Sequence, residues 1–199
     1  MSEKPRPFAR LSRALLTVLV MGLGMACSSH PPTQHASDAP VSEVRYVMGT
    51  LLDITLYASS ERAGRAILND TFKVAEDLDS LLSTYKPESA VSRLNKDPDT
   101  NARAVSTDLC ELVRVSQALS IKTAAAFDIT VRPLVELWHA AAKRGAPPTT
   151  GDVARARSLL GSTVLSVSPT CQLSKSSPHV AIETGGIGKG FAVDKMVAL

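Results

Sequence analysis

Residues Glu183–Asp194, ETGGIGKGFAVD, place four glycines and one lysine in a single short segment. The apolar residues just before it, Val180–Ile182, predict a strand, and Phe191–Leu199 has the amphipathic spacing of the beginning of a helix. Glycines let a backbone approach a ligand closely, and the N-terminus of a helix presents unpaired N–H groups and partial positive charge. With Lys189 beside them, these features indicate a phosphate-binding turn between a strand and a helix.

The spacing of the glycines differs from that of two common phosphate-binding motifs. A Walker A loop has glycine five residues before its Gly-Lys pair and Ser or Thr after it, whereas Glu183 and Gly190 occupy those positions here. The separation of Gly186, Gly188 and Gly190 also does not match the G-x-G-x-x-G fingerprint of dinucleotide-binding proteins. A second interpretation therefore stays open, in which the glycines serve only to pack a tight turn and Lys189 is solvated.

The remaining pattern predicts an α+β fold with an antiparallel or mixed sheet and packed helices. Residues Glu43–Ala58 alternate between apolar and polar side chains and predict two strand segments joined by a bend or bulge at Gly49. Apolar residues at helical spacing, N-cap residues and a proline in a first helical turn indicate the helices. Besides the segment from Phe191, the predicted helices are Arg62–Leu82, Ser89–Leu94, Thr107–Lys122, Pro133–Lys143 and Asp152–Leu160. Further strands are predicted at Val164–Ser168, Gln172–Ser174 and His179–Ile182.

The first 42 residues have the composition of an export signal followed by a tether. A basic stretch precedes the apolar run Leu15–Met25, which is too short for a comfortable transmembrane helix. Cys27 follows small residues, as in bacterial lipoproteins, so residues 1–26 are predicted to be the signal peptide and Cys27 the lipidated first residue. Residues 27–42 would then be a flexible tether from the membrane to a domain at 43–199, on the periplasmic or extracytoplasmic side. Ordinary cleavage near Ala26, with an unmodified cysteine, is the alternative.

Charge gives no indication of a nucleic-acid partner. The formal net charge of the chain is +3, and removal of residues 1–26 would leave equal numbers of basic and acidic side chains. Besides Cys27, two cysteines would remain, Cys110 and Cys171. In an oxidising compartment they can pair, but buried free thiols agree equally well with the sequence, so both alternatives stay open.

We call the segment Glu183–Gly190 the glycine turn. Three further segments combine with it into an ordered set of motifs. They are Tyr46–Thr50 (YVMGT), Ser83–Asn95 (STYKPESAVSRLN) and Thr123–Trp138 (TAAAFDITVRPLVELW). Each alone has a plain structural explanation, with Met48 as core filler, Tyr85 as a half-buried aromatic and Asp128 as a helix cap. Together and in this order they resemble the ApbE family, the bacterial flavin transferases that move FMN from FAD onto protein hydroxyl groups. The resemblance extends over about Val44–Leu199 and implies the T-fold-related α+β domain of that family.

The resemblance implies roles for residues at both ends of FAD. Met48 and Tyr85 would contact the flavin, through a thioether and an aromatic ring that pack on an aromatic ligand. Backbone and carboxylate hydrogen bonds would hold the adenine end. The residues implied there are Ala126, Phe127 and Asp128.

The glycine turn is implied to hold the nucleotide phosphates and a metal ion. Glu183, where relatives commonly carry Asp, would hold the nucleotide, and Lys189 would lie near the pyrophosphate of FAD. The carbonyl of Gly186 would be a ligand of Mg²⁺, a cation that takes oxygen ligands. Gly188 replaces a common alanine, and Ala125 replaces a common glycine, which would tighten its turn. No residue is assigned as catalytic.

The implied activity is that of an FAD:protein FMN transferase, which transfers FMN to a Thr or Ser hydroxyl and releases AMP in a Mg²⁺-dependent reaction. The implied acceptor is a flavoprotein subunit of an electron-transport complex, and the lipid anchor would provide the contact with the membrane. The family's remaining magnesium ligands lie downstream of the glycine turn, so residues 43–199 are predicted to be the N-terminal portion of a longer domain, incomplete at the C-terminus. The alternatives are a truncated, inactive FAD-binding lipoprotein and a Mg²⁺-dependent FAD pyrophosphatase.

Overall fold

The computed structural model describes residues 40–199 of the chain. The predicted signal peptide at 1–26, the predicted lipidation site Cys27 and residues 27–39 of the predicted tether lie outside the described residues. Within residues 40–199, no helix combines the length and the apolar character needed to cross a membrane.

The first two strands form an antiparallel hairpin, β1 (Pro40–Val47) and β2 (Thr50–Tyr57). Val47 pairs with Thr50, so only Met48 and Gly49 make the turn, and both have positive φ, 52° and 72°. Two consecutive positive φ angles match the twist of the flanking strands and are typical of two-residue hairpin turns. The predicted bend at Gly49 is therefore a tight reversal of the chain.

Six α-helices follow, and each predicted helix is confirmed with boundaries that shift by up to three residues. They are α1 (Glu61–Leu82), α2 (Ala90–Lys96), α3 (Thr107–Lys122), α4 (Arg132–Arg144), α5 (Thr150–Arg157) and α6 (Gly188–Val197), with a 3₁₀ turn at Ile129–Val131. The side chains of Ser89 and Ser106 accept hydrogen bonds from backbone N–H groups at the starts of α2 and α3. Pro133 is the second residue of α4, and Gly145 ends that helix in the left-handed conformation. These local capping signals explain why the sequence alone locates the helices.

A second sheet has three short antiparallel strands in the order β3 (Arg103–Ala104), β5 (Gln172–Lys175), β4 (Leu165–Val167). The two-residue strand β3 was not predicted. A disulfide between Cys110 of α3 and Cys171 joins this sheet to the helices, with the two Cα atoms 5.4 Å apart. Of the two alternatives for these cysteines, the structure has the paired one.

The strand predicted at His179–Ile182 is wrong, although Val180 and Ile182 are buried. Its backbone groups pair with a side chain instead of a neighbouring strand. The Ile182 N–H donates to Asn95 Oδ1 and Asn95 Nδ2 donates to the Ile182 carbonyl, both at 2.8 Å. The next residue, Glu183, donates its N–H to the Ile129 carbonyl at 2.7 Å. The apolar pattern predicted burial correctly. The side-chain amide of Asn95, and not a neighbouring strand, satisfies the backbone N–H and carbonyl of Ile182.

Helix α1 organises the core. Its C-terminal half contributes Leu78 and Leu82 to the main apolar cluster, which also includes Leu112 of α3 and Phe191 of α6. Its middle buries Phe72 beneath the hairpin, in a smaller cluster. The predicted α+β class, with packed helices and antiparallel sheets, is confirmed. Because both the hairpin and the start of α6 contact α1, this helix brings together the segments that carry the predicted site residues.

Candidate functional site

Three separate segments close around one cavity of about 680 Å³. They are the β1–β2 turn, the residues that leave α1, and the glycine turn before α6. Four of the predicted site residues line this cavity: Met48, Tyr85, Glu183 and Lys189. The structure thus brings together residues that are up to 141 positions apart in the sequence (from 48 to 189).

The glycine turn is tied to the end of α1 by Thr184, which sequence reasoning missed. Thr184 is buried, and its hydroxyl donates to the Leu82 carbonyl at 2.8 Å. Its own carbonyl accepts the N–H groups of Ile187 at 3.1 Å and Gly188 at 2.7 Å. These bonds fix the turn from which α6 begins. Met48 packs on the same turn, because a Cβ at Gly188 would lie 3.6 Å from Met48 Cε.

The first turn of α6 offers cationic and N–H groups to the cavity. Lys189 is exposed and makes no ion pair with any of the described residues. Residue Ile187, which precedes the helix, provides no side-chain cap. Since uncapped N–H groups and the helix dipole favour an anion at this position, the arrangement suits a phosphate group better than a turn that serves packing alone.

The aromatic residues of the cavity are solvent-accessible. Tyr85 is 88% exposed and Tyr46 is 75% exposed, and both line the cavity. Tyr85 is therefore not the half-buried core aromatic that was its structural alternative. Its ring and the half-buried thioether of Met48 form a surface on which a flat aromatic ligand can pack.

The carboxylate of Glu183 already has three hydrogen-bond donors within the chain. Its Oε1 accepts the Gly185 N–H at 3.1 Å and the Thr84 hydroxyl at 3.4 Å, and its Oε2 accepts from Arg132 Nη1 at 2.7 Å. Arg132 also donates through Nε to Glu136 at 2.8 Å. Partial burial alone would lower the pKa of Arg132, but the hydrogen bonds that it donates to Glu136 and Glu183 outweigh this effect and raise the pKa above its ordinary value. No local pattern predicts this pairing, since the two partners are 51 residues apart.

The residues implied for the adenine end lie outside the 680 Å³ cavity. Phe127 packs against the glycine turn, with its Cε2 3.4 Å from the position of a Cβ at Gly186. The Asp128 carboxylate accepts from the N–H and the hydroxyl of Thr130, at 2.8 and 2.6 Å, and so caps the 3₁₀ turn. The structural alternative for Asp128 is thus observed, and Ala126 is an exposed neighbour of both residues.

The described residues do not complete a magnesium site at Gly186. Mg²⁺ requires about six oxygen ligands in octahedral geometry. Within residues 40–199, no group of three or more His, Cys, Asp or Glu side chains is arranged to hold a metal ion. The Gly186 carbonyl can supply one oxygen to such a site.

The fold and the cavity define an α+β protein that presents a glycine-rich helix start and a lysine beside accessible aromatic rings. The chain belongs to the ApbE family, whose sequence profile matches residues 48–199. It is similar to the FAD:protein FMN transferase of Klebsiella pneumoniae, with 32% identity over 192 residues that represent 94% of this chain and 54% of that protein. The enzyme of the same name from Escherichia coli is 28% identical over 191 residues, with the same two shares.

Solved structures of the family show the same fold. The apo flavinyl transferase ApbE of Pseudomonas stutzeri matches with a TM-score of 0.72 and 27% identity, covering 81% of this chain and 51% of that one. The flavin transferase ApbE of Vibrio cholerae matches with a TM-score of 0.69 and 26% identity, covering 80% of this chain and 52% of that one. The chain therefore spans about half the length of the relatives it matches.

Proposed function

We propose that the protein is an FAD:protein FMN transferase, which moves FMN from FAD to a Thr or Ser hydroxyl of an acceptor protein and releases AMP in the presence of Mg²⁺. The observation that supports it best is the convergence of Met48, Tyr85, Glu183 and Lys189 on one cavity. The names of the similar enzymes from two bacteria agree with this proposal.

In the proposed reaction, the hydroxyl oxygen of the acceptor forms a bond to the phosphorus on the FMN side of the pyrophosphate. The P–O bond to the AMP phosphate breaks, its electron pair leaves with AMP, and the hydroxyl proton passes to solvent. Such transfers depend on positioning and on stabilising the negative charge of the phosphates. In this proposal, Lys189 and the N–H groups at the start of α6 stabilise that charge, while Tyr85 and Met48 hold the flavin.

We assign the metal only a supporting place in this proposal. Bound Mg²⁺ would supply additional positive charge to the pyrophosphate. The Gly186 carbonyl is the group of this chain that we expect to contact it. Residues 40–199 supply no cluster of carboxylates for the ion, so its other oxygen ligands would come from FAD and from groups outside those residues.

The test is AMP release from FAD by the purified protein, with Mg²⁺ and then with EDTA, measured by chromatography. Release with Mg²⁺, lost in Lys189→Ala and retained in Lys73→Ala, would support the proposed site. Lys73 is a suitable control because its ammonium pairs with Asp77 on the exposed face of α1. Failure of the wild-type protein to bind FAD, or to release AMP when an acceptor flavoprotein is present, would overturn the proposal.

The form of the flavin product separates transfer from hydrolysis. A transferase leaves FMN covalently attached to an acceptor, detected as flavin fluorescence in acid-precipitated protein. An FAD pyrophosphatase uses water as the nucleophile and releases free FMN in amounts equal to AMP. An inactive FAD binder would quench flavin fluorescence without releasing either product.

We further propose that the protein is lipid-anchored through Cys27 and acts on an extracytoplasmic flavoprotein subunit of an electron-transport complex. The Cys110–Cys171 disulfide supports an oxidising compartment, because such bonds are rare in the cytosol. The test is fractionation of cells that express the wild-type protein or Cys27→Ala. Loss of membrane association in the variant would support the anchor, and unchanged association would contradict it.

A further inference from the structure

Arg132 and Glu183 form the best-shielded ion pair near the cavity. Their charged atoms are 2.7 Å apart, and their side chains are only 22% and 15% exposed. A charge-assisted hydrogen bond in such a setting is stronger than one between exposed groups. The pair therefore fixes the orientation of the Glu183 side chain.

The oriented Glu183 side chain contacts the backbone of the glycine turn. The oxygen of Glu183 that does not face Arg132 accepts the N–H of Gly185 at 3.1 Å and the Thr84 hydroxyl at 3.4 Å. Gly185 is the first glycine of the turn, and Lys189 follows four residues later. A carboxylate held from one side by a guanidinium thus holds the backbone of the turn on the other side.

The two residues of the ion pair line two adjacent cavities. Glu183 lines the 680 Å³ cavity, Arg132 lines a neighbouring cavity of about 760 Å³, and Thr84 lines both. Shortening the Arg132 side chain would let water from its cavity reach the Glu183 carboxylate.

We infer that Arg132 is a positioning residue of the nucleotide site: it holds Glu183, and through Glu183 the Gly185 N–H, so that the turn presents Lys189 and its N–H groups to the ligand. This inference rests on the proposed function for its ligand, FAD, but its geometric part concerns the free protein. Arg132 itself lines the neighbouring 760 Å³ cavity and is not among the residues that line the 680 Å³ cavity, which we propose to hold FAD. Its loss should therefore weaken binding without removing a group from the reacting atoms.

The test compares Arg132→Gln and Arg132→Lys with Glu136→Gln as the matched control. Glu136 is the exposed second partner of Arg132, so its variant perturbs the same guanidinium without touching Glu183. Three quantities are measured: the amide hydrogen exchange rate of Gly185 in the ligand-free protein by NMR, the Kd of FAD by flavin fluorescence, and KM and kcat for AMP release.

Arg132→Gln should speed exchange of the Gly185 amide and raise Kd and KM about tenfold, the value of one charge-assisted hydrogen bond, with kcat within about twofold of wild type. Arg132→Lys keeps the charge but loses the planar guanidinium with its several N–H donors, so its Gly185 exchange rate, Kd and KM should be intermediate. Glu136→Gln should resemble the wild-type protein. In a double-mutant cycle, Arg132→Gln and Glu183→Gln should be clearly non-additive in Kd.

Unchanged Gly185 exchange and unchanged Kd in a folded Arg132→Gln protein would overturn the inference, as would additive effects in the cycle. A fall in kcat at constant KM would also overturn it, because Arg132 would then act on the reacting groups. If the wild-type protein binds no FAD, the proposed function fails, while Gly185 exchange still tests the positioning. If Arg132→Gln does not fold, the same comparison is made with Arg132→Lys.

Discussion

Thr184 donates its hydroxyl to the carbonyl of Leu82, across 102 positions of sequence, at a distance of 2.8 Å. Leu82 is the last residue of α1, whose terminal carbonyls have no partner within the helix. This bond therefore satisfies one terminal carbonyl of the central helix and anchors the turn from which α6 begins.

Removing this hydroxyl should reduce both stability and ligand binding. Thr184→Val keeps the shape of the side chain but leaves a buried carbonyl without its donor, which costs about 1–2 kcal/mol. We expect a lower midpoint in urea unfolding and a higher Kd for FAD. Thr184→Ser retains the hydroxyl and is the control. Equal stability of the valine variant and the wild type would show that the bond contributes little.

The disulfide should make a large contribution to stability, because it closes a loop between residues that are 61 positions apart. The chain-entropy model gives about 4 kcal/mol for a loop of this length. Cys110→Ala should lower the free energy of unfolding by this order. Reduction of the wild-type protein with dithiothreitol should lower it similarly and leave the variant unchanged. A variant as stable as the oxidised protein would contradict this account.

The sequence predicted the helices well because their signals are local. Ser89 and Ser106 cap the helices that follow them, and Pro133 begins α4 where a proline is best tolerated. Lys189 was predicted from the glycine turn itself, Met48, Tyr85 and Glu183 came from the resemblance of ordered motifs to a family, and the structure places those four in one cavity.

What the sequence did not predict depends on distant partners. The pairing of Asn95 with Ile182 across 87 positions replaces a strand ladder, and no periodicity reveals it. Arg132 and Glu183 likewise meet only after folding. Whether Cys110 and Cys171 pair also depends on proximity, which spacing alone does not determine.

Ala125 offers a way to stabilise the protein. Its φ of 63° lies in the left-handed region, where a Cβ costs about 1–2 kcal/mol and glycine is tolerated. After the greater flexibility of an unfolded glycine is subtracted, Ala125→Gly should raise the free energy of unfolding by about 1 kcal/mol.

The neighbouring Ala126→Gly is the control for that change. Positive φ is observed at Ala124 and Ala125 but not at Ala126, so glycine there relieves no strain and should leave stability equal or slightly lower. Thermal unfolding of the wild type, Ala125→Gly and Ala126→Gly measures this difference in stability. A gain at position 126 as large as that at 125 would mean that flexibility of the segment, and not the backbone angle, is responsible.

Stability should fall in acid in part because of Asp97. The Asp99 N–H donates to its carboxylate at 2.9 Å, and this bond, with the nearby charge of Arg103, holds the pKa of Asp97 below its usual range against a smaller opposing effect of burial. Because the pKa is lower in the folded state, the contribution is fully present above the unfolded pKa of about 3.9 and is lost as pH falls through the folded pKa. Asp97→Asn should thus melt below the wild type at pH 7, and the difference should shrink below about pH 4.

Asp53→Asn on the exposed hairpin face is the control. A difference for Asp97→Asn that stays constant down to pH 2 would show that the side chain acts through shape and hydrogen bonding alone.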